Sequence, residues 1–171
     1  MKLLKLKGKL HFEPENKTKK HNEQASWKRV AMIIIKDDTC DYYAWFIKRR
    51  YNLILNKPLR GTHVTIINDR NTEAVYFDKI KEEWEGKEIT FYIDPTPRTN
   101  GEHWWLRTWS NDAEDIRVKC GLKAKPYFDF HLTIGYATHI WVDHAKYIHE
   151  CIKLFEMDSP RKNFEEYEII T

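Results

Sequence analysis

Two histidines in this sequence stand in the same short pattern, and histidine is the side chain best suited to transfer protons near neutral pH. His63-Val64-Thr65-Ile66 and His131-Leu132-Thr133-Ile134 both read His-apolar-Thr-apolar and lie 68 residues apart. Composition alone predicts about 0.1 such matches in a chain of this length, and none of the other histidines matches. The two copies therefore indicate an internal repeat.

On a β-strand, residues two apart point to the same face. His63 and Thr65 would then share one face, as would His131 and Thr133, while the apolar residues between them face a core. Gly135 continues the second polar face without a side chain, which would leave room for a ligand. Taken singly, each pattern is most simply a strand with one polar face, but two copies on comparable strands indicate a site.

These residue types suit the cleavage of a phosphodiester. The reaction needs a base on the attacking oxygen and an acid on the leaving oxygen, and one neutral and one protonated imidazole supply both. Threonine hydroxyls can donate hydrogen bonds to the non-bridging oxygens, on which charge accumulates. Either histidine can be the base on this reasoning, and either water or a ribose 2′-hydroxyl can be the nucleophile.

The elements that position these residues alternate between strands and helices. Leucines and lysines in strict alternation predict a strand at 4–10, and further strands are predicted at 27–35, 63–67, 88–93, 103–109, 128–134 and 164–170. Helices are predicted at 37–50, at 71–85, from Ser110 to Gly121, and over about 16 residues before Pro160. This mixture predicts an α+β fold, in which helices pack on the outer faces of an antiparallel-rich sheet.

Aromatic and basic residues near the two patterns are candidates for holding a nucleotide. On the predicted strand 103–109, Trp105, Arg107 and Trp109 share one face, where they could stack on a base and hold a phosphate. The commoner alternative is that these tryptophans fill the core. Arg60, three residues before His63, is a further candidate for binding phosphate, and Tyr136 follows the second pattern.

Charge is distributed unevenly along the chain. The whole sequence has a net charge of +3, but residues 1–24 contain seven lysines and three glutamates, so the rest is slightly acidic. Lys5, Lys7 and Lys9 are most simply a solvated strand face. With the lysines of the following loop they could instead make residues 1–26 a basic lid over an anionic ligand. The small net charge argues against a protein that coats long DNA or RNA.

Composition is typical of one globular domain covering residues 1–171. The longest apolar run, at 30–35, is far shorter than the ~20 residues that cross a bilayer. Lysines interrupt the N-terminus where a signal peptide needs an apolar stretch. Cys40, Cys120 and Cys151 are widely spaced, which predicts buried, reduced thiols in a cytoplasmic protein. No histidines have metal-ligand spacing, and no cofactor motif is present.

Two His-x-Thr strands in the two halves of a small α+β protein resemble the 2H phosphoesterase superfamily. The resemblance covers both patterns and the order of elements between them, which is most of residues 27–157. The stretch from Ile116 to Tyr136 contains Leu122-Lys123-Ala124-Lys125-Pro126 and the second pattern. It most resembles the phage anti-CBASS nucleases, which destroy the cyclic nucleotide signals of bacterial defence.

The resemblance implies a bilobal fold, in which two sheets related by a pseudo-twofold axis enclose a central groove. It implies that His63 and His131 are the general acid–base pair, that Thr65 and Thr133 bind the phosphate, and that no metal is needed.

The resemblance further implies hydrolysis of the 3′–5′ bonds of cyclic di- or trinucleotides in the host cytoplasm, as a means by which a phage evades defence. Relatives that act on RNA 2′,3′-cyclic phosphates, or that resemble 2′-5′ RNA ligases, make RNA ends the alternative substrate. A protein that binds nucleotides without cleaving them is a third hypothesis.

Overall fold

Residues 2–14, 29–68, 74–138, 141–156 and 168–170, which are those described by the computed structural model, form nine strands and four helices. The strands are β1 (Lys2–Phe12), β2 (Ala31–Ile34), β3 (Leu55–Asn56), β4 (His63–Ile67), β5 (Glu88–Ile93), β6 (Arg98–Thr99), β7 (His103–Trp109), β8 (His131–Ala137) and β9 (Glu168–Ile170). The helices are α1 (Thr39–Tyr51), α2 (Phe77–Trp84), α3 (Asn111–Lys119) and α4 (Val142–Glu156).

Six of these strands form one sheet that closes on itself. The order is β8-β4-β2-β1-β5-β7, every neighbouring pair is antiparallel, and β7 pairs back onto β8. Strands β3 and β6 pair with β8 and β7, and β9 lies parallel to β1. The predicted antiparallel-rich α+β fold is thus confirmed. Both patterns lie on a single closed sheet, however, so the expectation of two separate sheets is wrong.

One row of buried side chains crosses five neighbouring strands of the closed sheet. Each member is paired with the next in the strand register, and none is exposed to solvent: Leu10, Ile33, Val64, Leu132 and Leu106. Burying an aliphatic side chain of this size stabilises a fold by ~1.5–3 kcal/mol. Because side chains alternate along a strand, fixing this row in the core turns the residues on either side of it to the opposite face of the sheet.

Two helices are anchored to the sheet by local signals that the sequence contains. The hydroxyl of Ser110 accepts a hydrogen bond from the backbone N–H of Ala113 at 3.2 Å, which confirms it as the N-cap of α3. The same hydroxyl donates to the carbonyl of Thr90 at 2.7 Å and so ties the start of α3 to β5. Helix α1 buries Cys40, Tyr43 and Ile47 and packs against β8.

Three predicted elements begin later in the structure than in the sequence analysis. The second pattern was expected on a strand from residue 128, but β8 starts at His131, because Tyr127 and Phe128 extend into solvent instead of joining the sheet. Strand β2 starts at Ala31 and α2 at Phe77. The expected helix start at 71–73 lies outside the described residues.

The exposed lysines of β1 lie on the same face of the sheet as the two patterns, since Lys9 is opposite Ile34 and Ile34 is opposite His63. Strand β1 is three strands from β8 in either direction around the closed sheet. Lys5, Lys7 and Lys9 are exposed, and Lys7 forms an ion pair with Glu88 at 2.6 Å. That these lysines close over a ligand stays a prediction. The loop part of the expected lid, 15–26, lies outside the described residues.

The three cysteines are free thiols, and Cys40 and Cys120 are buried, as the sequence predicts. Burial raises the pKa of the Cys40 thiol, and it raises the pKa of Cys120 to about 11. A thiol with a raised pKa is a weak nucleophile at neutral pH. Of the helices described, none has the length and apolar character that crossing a bilayer requires.

Gly135 leaves room for the backbone of β3 and not for a ligand, contrary to the sequence-based expectation. A Cβ atom built at this position would collide with the carbonyl oxygen of Asn56 and lie 3.1 Å from the Cβ of Leu55. The missing side chain thus allows β3 to approach the end of β8, where Leu55 pairs with Ala137.

We expect Gly135→Ala to destabilise the protein, because β3 must move to admit the new methyl group. Overpacking of this kind costs ~1–3 kcal/mol, which lowers the melting temperature by about 2–12 °C for a chain of this size. Thermal unfolding followed by circular dichroism measures the change. Asn56→Ala is the matched control, since only the backbone of Asn56 is in contact, and an unchanged melting temperature in Gly135→Ala would contradict this account.

Candidate active site

The pairing of β4 with β8 brings the two patterns together. Val64 lies opposite Leu132 in an antiparallel register, which places His63 opposite Thr133 and Thr65 opposite His131. The arrangement has a local twofold axis that passes between Val64 and Leu132. All four polar side chains are half-buried on one face of the sheet, while Val64 and Leu132 are fully buried on the opposite face.

Neighbouring strands add side chains to the same face. On β7, Trp105 lies opposite Thr133 and Arg107 lies opposite His131. The Trp105 ring is edge-on to the His131 ring, with 6.5 Å between their centroids. The structure thus confirms the prediction that Trp105 and Arg107 share one face of the sheet beside the second pattern. Trp104, which precedes Trp105 in the chain, is fully buried in the core.

Both histidine rings are held in the same way. The Nδ1 atom of His63 donates a hydrogen bond to the carbonyl of Gly61 at 2.8 Å, and Nδ1 of His131 donates to the carbonyl of Asp129 at 2.9 Å. A carbonyl oxygen only accepts, so each Nδ1 carries the hydrogen. In the neutral rings the lone pair is then on Nε2, which is the atom left to take up or release a proton.

The charges around the two rings differ. Burial lowers the pKa of His63, and the nearby positive charges of Arg60 and His131 lower this pKa further, while the hydrogen bond to Gly61 opposes them. Arg60 lies beside the first pattern, and its Nη1 contacts the sulfur of Met32 at 3.3 Å; its role as a phosphate ligand stays a prediction. Met32 is opposite Thr65 in the register, so the guanidinium flanks the first pattern.

Arg107 holds the segment before His131 in place. Its Nε and Nη2 both donate to Oδ2 of Asp129, at 3.1 and 2.8 Å, and its guanidinium stacks on Trp109 at 5.2 Å from the ring centroid. Asp129 is also the residue whose carbonyl accepts from His131. Arg107 thus positions a catalytic candidate through Asp129, and Trp109 supports Arg107. Asp129 was not among the predicted residues, because a carboxylate two positions before a histidine is not a recognisable motif.

Two cavities meet at His131. A large cavity of about 760 Å³ and a small cavity of about 310 Å³ share Phe128, Asp129 and His131. The large cavity is further lined by polar and aromatic side chains, among them Arg98, His103, Trp105, Arg107 and Thr133. The small cavity is further lined by Thr65, Asn68, Arg117, Pro126 and Tyr127. Both volumes fall in the range of ~300–1,000 Å³ that is typical of small-molecule sites.

The remaining predicted residues lie at the margins of this face. Tyr136 is opposite His103, and their ring centroids are 6.4 Å apart. His63 and Arg60 line neither of the two cavities; they lie at the edge of the site on the first pattern's side. Arg98 was missed by sequence analysis, because only the pairing of β6 with β7 brings it opposite Trp105.

A buried arginine joins the first pattern to the loop that precedes the second. Arg117 is 3% exposed. Its Nη1 donates to the carbonyl of Ile66 at 2.6 Å, and its Nε donates to the carbonyls of Lys123 and Ala124 at 2.9 and 3.1 Å. Hydrogen bonds from a charged donor are each worth ~1.5–3 kcal/mol. In the sequence, Arg117 is an ordinary basic residue in the last turn of a helix, so no signal predicts this role.

No family model, curated protein or solved structure matches this chain. Across the described ranges, no three His, Cys, Asp or Glu side chains lie together in a group that could hold a metal ion. The residues of the site and their geometry therefore carry the functional argument.

We expect the pKa of His63 to lie below the usual value of 6.5. The native state then binds a proton less readily than the unfolded state, so stability is retained above pH 6.5 and falls as the pH drops through the lowered pKa. Titration of the imidazole Cε1 proton by NMR measures the pKa, with His63→Asn used to assign the signal. The same variant should lose less stability than the wild type between pH 6.5 and 5. A midpoint above 6.5 would contradict the burial argument.

Proposed function

We propose that the two His-x-Thr strands form the active centre of a metal-independent phosphodiesterase of the 2H type. The observation that carries the proposal is the twofold arrangement of the two histidines, each held at Nδ1 by the carbonyl two residues before it. This anchoring leaves two equivalent Nε2 atoms on one face of the sheet. Two proton-transfer groups on either side of a phosphorus atom are what an in-line displacement uses.

The surroundings of the rings favour His63 as the base and His131 as the acid. Because the pKa of His63 is lowered, its ring is neutral at pH 7 and can accept a proton. In the proposed step, Nε2 of His63 removes a proton from water, and the water oxygen forms a bond to phosphorus. The bond from phosphorus to the leaving oxygen breaks, and Nε2 of protonated His131 gives its proton to that oxygen. The histidines exchange their protons with solvent before the next turnover.

Thr65 and Thr133 are assigned to the non-bridging oxygens. Each lies opposite the histidine of the other pattern in the register, so both hydroxyls lie on the face where the phosphate would bind. A hydroxyl that donates to a non-bridging oxygen stabilises the charge that develops as the new bond forms. The local twofold gives the two threonines equivalent places on either side of the axis.

We propose a compact cyclic di- or trinucleotide as the substrate. Two cavities of limited volume beside His131 suit a small ligand better than a polymer. The predominantly polar and aromatic lining of the large cavity offers stacking on Trp105 and positive charge from Arg98. Such an enzyme, acting in the cytoplasm of an infected cell, would remove the cyclic nucleotide signals of antiviral defence.

We expect cyclic dinucleotide hydrolysis to persist in EDTA and to fall by ~10²–10⁴ in His63→Ala and in His131→Ala. Chromatographic separation of the products from a panel of cyclic di- and trinucleotides measures the rate. His144→Gln is the matched control, since this exposed histidine is on α4 and its ring contacts the carbonyl of Tyr51. If the protein acts only on RNA 2′,3′-cyclic phosphates, RNA ends are its substrate and the cyclic dinucleotide proposal is wrong. If it binds nucleotides tightly without turnover from pH 5 to 9, it is a nucleotide-binding protein and not an enzyme.

We expect Thr65→Val and Thr133→Val each to lower kcat by ~10²–10³ with little change in KM. Valine keeps the shape of threonine but removes the hydroxyl, so the loss reports the interaction made in the transition state. Steady-state kinetics on the best substrate of the panel separates the two constants. The Thr→Ser variants should recover most of kcat, and a rise in KM at unchanged kcat would show that the hydroxyls act in ground-state binding instead.

A further inference from the structure

Two aromatic side chains next to the candidate active site are held in solvent. Tyr127 is 95% exposed and Phe128 is 69% exposed. Their rings contact each other edge to face, with 4.9 Å between the centroids. Adjacent large aromatic side chains at this exposure lose the stabilisation that burial would give them, and exposed apolar surface of this kind commonly marks a binding site.

The loop that carries this pair is fastened on both sides. Before the pair, the Arg117 side chain donates to the carbonyls of Lys123 and Ala124. After the pair, the carboxylate of Asp129 accepts two hydrogen bonds from Arg107. The two rings are thus presented by an anchored loop, which lowers the entropy cost of stacking on a ligand.

The pair lies on one side of His131, and Trp105 lies on the other. Tyr127 lines the small cavity and Trp105 lines the large cavity, whereas Phe128 and His131 line both. Thr65 belongs to the small cavity and Thr133 to the large one. A phosphate held by the two threonines would therefore have an aromatic surface on each side of it.

This placement bears on the chemical class of the substrate. A 2′,3′-cyclic phosphate has both ester oxygens on one ribose, so it presents a single nucleoside to the site. A phosphodiester that joins two nucleotides has a nucleoside on each side of phosphorus. Two cavities that meet at His131, one with Tyr127 and the other with Trp105 as its own aromatic surface, match the second case.

We propose that the small cavity is a second nucleobase subsite, in which a base stacks on Tyr127 and Phe128 while the other nucleoside of the same phosphodiester occupies the large cavity. The proposal rests on the proposed phosphodiesterase function, because it takes the phosphate to lie at His131. It adds that the substrate bridges both cavities and that the loop before β8 selects for it.

The test compares two probes on the same variants. The dissociation constants of a non-hydrolysable phosphorothioate cyclic dinucleotide and of a nucleoside 2′,3′-cyclic monophosphate are measured by calorimetry for the wild type, Tyr127→Ala and Phe128→Ala. Stacking of one base on an aromatic side chain is worth ~1–3 kcal/mol. We therefore expect the dinucleotide to bind about 5- to 150-fold more weakly to the alanine variants, and the affinity of Tyr127→Ala for the mononucleotide to change by less than about twofold.

The controls separate stacking from general damage. Tyr127→Phe should keep the wild-type affinity, because stacking needs the ring and not the hydroxyl. Tyr42→Ala removes an exposed tyrosine of α1 that lines neither cavity, and it should leave both constants unchanged. Since Tyr127 and Phe128 are exposed, their variants should melt at the wild-type temperature.

The experiment distinguishes failure of the second subsite from failure of the proposed phosphodiesterase function. Unchanged dinucleotide affinity in both alanine variants, or an equal loss for the two probes, would overturn the second subsite even in an active enzyme. A selective loss of dinucleotide affinity in a protein that hydrolyses none of the substrate panel would establish the subsite and overturn the proposed catalysis.

Discussion

The pairing of Val64 with Leu132 is the contact on which the candidate site depends. It is one step in the buried row that runs from Leu10 to Leu106 across five strands. A shift of one residue between β4 and β8 would turn the polar face of one strand toward the core and leave the two His-x-Thr patterns on opposite faces. The packing of the core therefore sets the geometry of the candidate site, and the polar residues need no contact with one another to be placed.

A symmetric backbone carries an asymmetric distribution of charge. The two rings share the same Nδ1 anchor, but the residues around them differ. The half-buried ring of His63 lies near the Arg60 guanidinium, whereas the Arg107 guanidinium opposite His131 is paired with the Asp129 carboxylate. A duplicated pattern thus gives two histidines with the same backbone anchor and different charged neighbours.

Sequence patterns predicted what depends on local periodicity and missed what depends on distant contacts. Strict alternation located β4, β5 and β7, and the period of two placed Trp105 and Arg107 on the face of the second pattern. The partner of Gly135 is a carbonyl nearly 80 residues away in the chain, so its purpose could not be inferred from its neighbours. The same holds for Arg117, whose target Ile66 is on another element.

The closed sheet also constrains the order in which the chain can fold. Strand β8 pairs with β3, β4 and β7, and it is the last strand of the ring along the sequence. The partner of Val64 is therefore supplied by a segment made much later, and pairings between distant segments form slowly. The two histidines meet only when β8 pairs with β4, across 68 residues of chain. That long-range pairing is also the step that assembles the candidate site.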